Sequence, residues 1–247
     1  MNEIAVLAVA GTGTALATGV GAVPVFALGP RARGLRPLLW GIAAGVMGVA
    51  SVVGLLAPAL DEGSDGAVGI GLLAGIVFLV GSRRALAARD VHVGKLRGVG
   101  VRRSVLVFGV LLVHSLPEGF AIGTAFASEK AGLGLFVLLA IALQNIPEGT
   151  ASAIPMQDAG FSPAQQFWAA VATSAPQPVG AVAAYVLVEQ ITSLLPLSFA
   201  FAAGAMLALI AFELVPQAFT ARTWRLALAG TVGGAALMLA LSAVIGV

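Results

Sequence analysis

Long apolar runs separated by short polar loops recur along the whole chain. Crossing the hydrocarbon core takes about 20 apolar residues as a helix. Stretches of that kind lie near residues 4–28, 37–60, 67–83, 104–127, 132–156, 164–188, 194–219 and 224–246. These eight spans, numbered 1 to 8 in chain order, predict an all-α membrane protein built as an eight-transmembrane-helix bundle, with residues 1–247 forming a single domain. The runs are rich in Gly, Ala and Thr, and small residues let helix backbones approach closely where lipid supplies no hydrophobic drive between helices. Span 1 begins at Ile4 directly behind Glu3, without the basic start of a signal peptide, and runs on past Pro24. It reads as a retained helix.

The polar positions add an orientation. Alternate loops carry Arg31, Arg33 and Arg36, then Arg83, Arg84, Arg89, Lys95, Arg97, Arg102 and Arg103, then Arg222 and Arg225. The opposite loops hold Lys130 beside Asp61, Glu62, Asp65, Glu129 and Glu189. Lys and Arg accumulate on the cytoplasmic side, so the loop at about 84–103 is expected in the cytoplasm and both termini outside. That loop reads first as a topology determinant, and its charge also suits anionic lipid.

Composition agrees with this class and excludes others. The chain is 59% hydrophobic and 10% charged, with a mean hydropathy of +1.03. A net charge of +2 confined to short loops gives nucleic-acid binding no support. The absence of cysteine excludes disulfides, thiolate metal sites and c-type haem attachment. The Ala and Gly richness points to a bacterial source, in which case the membrane is the cytoplasmic one.

Two pairs of segments repeat. Span 2 contains IAAGVM at 42–47 and span 7 contains FAAGAM at 201–206, in helices of opposite direction. Spans 4 and 5 carry HSLPEG at 114–119 and QNIPEG at 144–149. Together they predict an inverted repeat, with helices 1–3 and 6–8 arranged around helices 4 and 5. Such repeats, with a polar site near the midplane, mark many transporters.

The doubled P-E-G core also carries the chemistry. His114 and Glu118 are four residues apart and share a helix face, as do Gln144 and Glu148. An ionisable group in the membrane costs several kcal/mol and faces a bundle interior or a water-filled cavity. Two carboxylates, an imidazole and an amide oxygen suit a divalent cation, which removes the repulsion between the acids. Pro117 and Pro147 take away the backbone bonds to the carbonyls of Val113 and Leu143, loosening each helix beside its acid. Gly119 and Gly149 leave room for a close neighbour or for an ion path.

These motifs resemble those of the ZIP (Zrt/Irt-like protein) family of divalent metal transporters. The match extends to GIAAGVMGVAS in span 2, QPVGA in span 6, FAAGAM and FELVP in span 7 and ATGVGAVPVF in span 1. The resemblance implies a primary site of His114, Glu118, Gln144 and Glu148 joined by the thioether of Met47. Bacterial relatives commonly have Gln where Gln144 stands. The mixed donor set suits Zn²⁺, Cd²⁺ or Fe²⁺ better than Mg²⁺ or Ca²⁺, with Mn²⁺ a further candidate. The metal is cargo, and no resident cofactor is expected.

The chain departs from the family where relatives hold a second metal. Ser115, Asn145 and Gln177 stand at those positions and offer weak neutral oxygens at most, so one tightly held metal is expected. Glu213, in Phe212-Glu213, is either a relay ligand at the exit or an acid near a helix end. His92 is the one histidine of the loop at about 84–103, which argues against metal sensing there.

The resemblance thus implies an importer working by alternating access, with helices 1, 4, 5 and 6 moving past helices 2, 3, 7 and 8. Its partners are the metal ion and membrane lipid, and a homodimer suits the family although no motif specifies one. An intramembrane metal-dependent hydrolase is a competing class, but H-E-x-x-H is missing and His114 is the only membrane histidine. A metal-free proton pathway through Glu118, Glu148 and Glu213 leaves His114, Gln144 and Met47 without a role.

Overall fold

The computed structural model describes residues 3–87 and 99–247. They form eight spans long and apolar enough to cross a membrane, and no strand occurs among the described residues. The spans are α1 (Glu3–Leu28), α2 (Ala32–Glu62), α3 (Asp65–Ala87), α4 (Val99–Ala127), α5 (Leu133–Asp158), α6 (Pro163–Gln190), α7 (Thr192–Ala218) and α8 (Trp224–Ile245). The protein is an integral, multi-pass membrane protein. Arg89, His92, Lys95 and Arg97 lie outside the described residues, and with them most of the basic loop expected to set topology or meet lipid.

α1, α4 and α5 run unbroken through Pro24, Pro117 and Pro147. In a bundle, neighbouring helices and local adjustments satisfy the freed carbonyls. Span 6, read as continuous, is broken. Its first half starts on a reciprocal capping box between Ser162 and Gln165 and ends at Thr173. Its second half begins at Pro176, and the turn between them is closed by the Gln177 N–H donating to the Ser174 carbonyl at 3.0 Å. Pro176 and Pro178 have no N–H to continue the first helix across this point.

Packing reveals the inverted repeat. The dominant partners are α1 with α5, α4 with α6, α2 with α8 and α3 with α7. Exchanging helix 1 with 6, 2 with 7, 3 with 8 and 4 with 5 maps this set of pairs onto itself. The repeat reaches local geometry too. α2 widens into π-type turns at Ala50–Leu56 and α7 at Ile210–Leu214, each just after its AAGxM segment.

Met47, Phe136, Phe199 and Met206 are buried in one apolar core shared by most of the helices. α3 and α8 lie at the periphery and turn Ile70, Leu73, Val77, Val232, Leu237 and Leu239 outward. Such faces need lipid, because a water-exposed apolar surface of this extent is rare in soluble monomers. The two ends differ in charge. Arg33 pairs with Asp158 at one end, and Lys130 pairs with Asp61 at 2.8 Å at the other.

Candidate metal centre

α4 and α5 bring the predicted acids together. His114, Glu118 and Glu148 are each no more than 3% exposed. Each offers a ligand atom, and these atoms all lie within 4.8 Å of one another. Two of the three come from one face of α4 and the third from α5, so the four-residue spacing of HSLPE supplies two-thirds of the cluster directly. His114 Nε2 sits 3.3 Å from Glu148 Oε2. Gln144 completes the predicted quartet: its Nε2 donates to Glu118 Oε1 at 2.5 Å.

The other atoms of these side chains are as informative. His114 Nδ1, Gln144 Oε1 and Glu148 Oε1 are buried with no hydrogen-bond partner among the described residues. An unsatisfied buried polar atom costs about 1–3 kcal/mol. All three atoms are of metal-ligating type and belong to residues of the predicted quartet.

The P-E-G glycines seat neighbouring backbones. A Cβ at Gly149 would strike the Thr18 carbonyl of α1, and one at Gly119 would strike the Gln177 carbonyl of α6. Close helix approach, rather than an ion path, is what these glycines allow. The two contacts are related by the same exchange of helices as the pairs themselves.

Ser115, Asn145 and Gln177 are engaged with the protein. The Ser115 hydroxyl donates to the Leu111 carbonyl of its own helix at 2.9 Å. Gln177 Nε2 donates to Glu118 Oε2 at 2.7 Å, while its Oε1 accepts from Thr14 Oγ1 at 2.7 Å and from Asn145 Nδ2 at 3.0 Å. Asn145 Nδ2 also donates to the Thr14 carbonyl at 2.7 Å. Glu118 therefore receives an amide N–H at each carboxylate oxygen. Thr14, the residue that orients Gln177, had no sequence signal beyond its place in a Gly/Thr-rich helix.

The thioethers divide. Met47 is fully buried in α2. A narrow gap beside the cluster, too tight for a water molecule, is lined by His114, Pro117, Glu118, Ala205, Met206 and Leu209. Its sulfur is Met206 of α7, which the likeness of FAAGAM to IAAGVM alone could have flagged. Glu213 lies one turn beyond Leu209, in the widened segment of α7, and pairs with Arg83 at 3.1 Å.

The family model described as ZIP Zinc transporter matches residues 82–242, well over half of the chain. The chain belongs to the ZIP family. Among ZIP relatives, the zinc transporter GufA of Myxococcus xanthus is 31% identical over 245 residues, which cover 93% of this chain and 95% of that protein. The zinc transporter ZIPB of Bordetella bronchiseptica is 30% identical over 248 residues, covering 93% and 78% respectively. A candidate zinc transporter of Arabidopsis thaliana is 37% identical over 209 residues, 83% of this chain but only 33% of its own length. The chain thus spans about a third of that larger relative. ZIP proteins are transporters rather than enzymes, and the cargo of this one is a metal ion.

Proposed function

We propose that this ZIP protein carries a divalent transition metal, zinc foremost, into the cytoplasm through one site held by His114, Glu118, Gln144 and Glu148. The convergence of His114, Glu118 and Glu148 within 4.8 Å carries the reading, and the zinc transport named for GufA and ZIPB supports it. Imidazole, carboxylate and amide oxygen together favour borderline ions over Mg²⁺ or Ca²⁺, which makes Cd²⁺, Fe²⁺ and Mn²⁺ the competing cargoes. Met47 and Met206 stand on the partner helices, where a thioether would be met in one conformation and left in another.

Alternating access follows the packing. α1, α4, α5 and α6 hold every member of the quartet and of the amide network and pack as α1 with α5 and α4 with α6. α2, α3, α7 and α8 carry Met47, Met206 and Glu213 and pair among themselves. Movement of the first group past the second would expose the site to each side in turn. The basic residues at the ends of α2, α3 and α8 support a cytoplasmic assignment for that end by the positive-inside rule, with both termini outside. Lipid covers the outward apolar faces.

The test is radiolabelled zinc uptake into proteoliposomes by wild type and Glu118→Gln, challenged with excess Cd²⁺, Fe²⁺ and Mn²⁺. Uptake that depends on Glu118 is expected, and the order of competition ranks the cargoes. Correctly inserted wild-type protein that moves none of these ions would end the transport reading.

A further inference from the structure

Leu209 stands between two spaces. On one side is the gap beside the metal cluster, lined by His114, Pro117, Glu118, Ala205 and Met206. On the other is a crevice of about 320 Å³ between α3, α4 and α7, whose lining includes Val113, Arg83 and Glu213. Leu209 lines both, is 2% exposed, and ends the regular helix just before the π-type turns of Ile210–Leu214.

The far end of the crevice is closed by charge. Arg83 meets Glu213 Oε2 at 3.1 Å and donates to the Phe212 carbonyl at 2.7 Å. Gln217 Nε2 donates to Glu213 Oε1 at 2.6 Å, and Arg36 donates to Gln217 Oε1 at 2.5 Å. The Arg83 side chain is 44% exposed and that of Glu213 is 20% exposed, so the pair is weak and can be exchanged.

We propose that Leu209 and the Arg83–Glu213 pair form the closed gate between the metal cluster and the basic end of the bundle. Arg83 acts as a tethered cation that occupies Glu213 until a departing divalent ion replaces it. Leu209 keeps water from the cluster in this conformation: it lines both spaces and, with Ala205 and Met206, makes the α7 wall of the inner one apolar. The π-type turns put the hinge next to the plug, since a widened turn lacks the regular ladder that stiffens a helix. The role assigned to the departing ion rests on the transport reading above, but the gate itself does not.

The natural absence of cysteine makes a direct test available. A single Ala205→Cys places a thiol in the inner gap, and its reaction with a water-soluble, cationic methanethiosulfonate reports water access. Slow labelling is expected in this background. Leu209→Ala is expected to raise the rate about tenfold, a change of the size that one lost packing contact gives. Arg83→Gln, a surface change that spares folding, is expected to raise it several-fold. Arg84→Cys, exposed on α3, should label equally fast in every background.

Unchanged labelling of Ala205→Cys in both variants would overturn the gate, and a rise with Leu209→Ala alone would remove Arg83 from it. Zinc uptake by wild type is read separately. Absent uptake with gated labelling defeats the transport reading and leaves the gate, whereas normal uptake with ungated labelling does the reverse.

Discussion

The α4 and α5 halves of the candidate metal centre share the P-E-G motif but differ in their partners. Each supplies a Glu one position after a Pro and one before a Gly, and each seats that Gly on a neighbouring backbone carbonyl. Glu118 of α4 is fully occupied by the protein, with Gln144 and Gln177 donating to its two oxygens at 2.5 and 2.7 Å. Among the described residues Glu148 of α5 meets only His114, at 3.3 Å, and leaves Oε1 unpartnered. Hydrogen bonds to a charged group contribute about 1.5–3 kcal/mol each, so a metal that takes Glu118 must displace or share what the amides give. Glu148 has no such competitor. One carboxylate is held by the fold, and the other keeps an oxygen free that the proposed ion would use.

The sharpest way to break the comparison is to remove one acid at a time. Glu148→Gln should weaken zinc binding by about a hundredfold or more, on the order of the 3 kcal/mol that truncating a buried charged partner costs. Glu118→Gln should cost less affinity, because the amides already satisfy that position. Isothermal titration of both purified variants checks the order, and a larger loss for Glu118→Gln would reverse the assignment of roles.

Next in size are the glycines. Gly149→Ala and Gly119→Ala each drive a methyl into a backbone carbonyl that cannot rotate away. Overpacking of this kind costs about 1–3 kcal/mol, read as a lowered melting temperature in detergent. Similar losses at the two sites would confirm that the seats are equivalent even though the acids are not. Normal melting of both variants would refute the close approach.

The smallest effect is expected at the neutral positions. Ser115→Ala removes a hydroxyl bonded only to its own helix and should change zinc affinity by less than about twofold, within the range of unremarkable substitutions. Asn145→Ala breaks the support of Gln177 and should cost more. The two affinities, measured side by side, separate an idle neutral residue from one that holds Glu118 in place.

Much of this was legible in the residues. Length, apolarity and loop charge set eight spans because each signal is strong and repeated, and the quartet was legible because helical spacing alone puts His114 with Glu118 and Gln144 with Glu148. The break in α6 was signalled by Pro176 and Pro178, but the apolar run continues across it and hides the stop. The π-type turns in α2 and α7 have no residue signature, since packing sets where a helix widens. The orientation of Gln177 was equally hidden: an amide offers a donor or an acceptor, and the Thr14 hydroxyl, 163 residues away in sequence, together with the Asn145 amide decides that the N–H faces Glu118. The repeat of IAAGVM as FAAGAM was the one sequence signal for Met206, which was not singled out, because its place against His114 depends on how α7 packs on α4.

In the proposed function a single metal sits between α4 and α5, with neutral amides where a second cation would need carboxylates. Counting tightly bound zinc per chain by equilibrium dialysis, in wild type and in His114→Ala, tests it most directly. One tight zinc is expected in wild type and none in His114→Ala. Two tight ions, or one that survives the loss of His114, would contradict it.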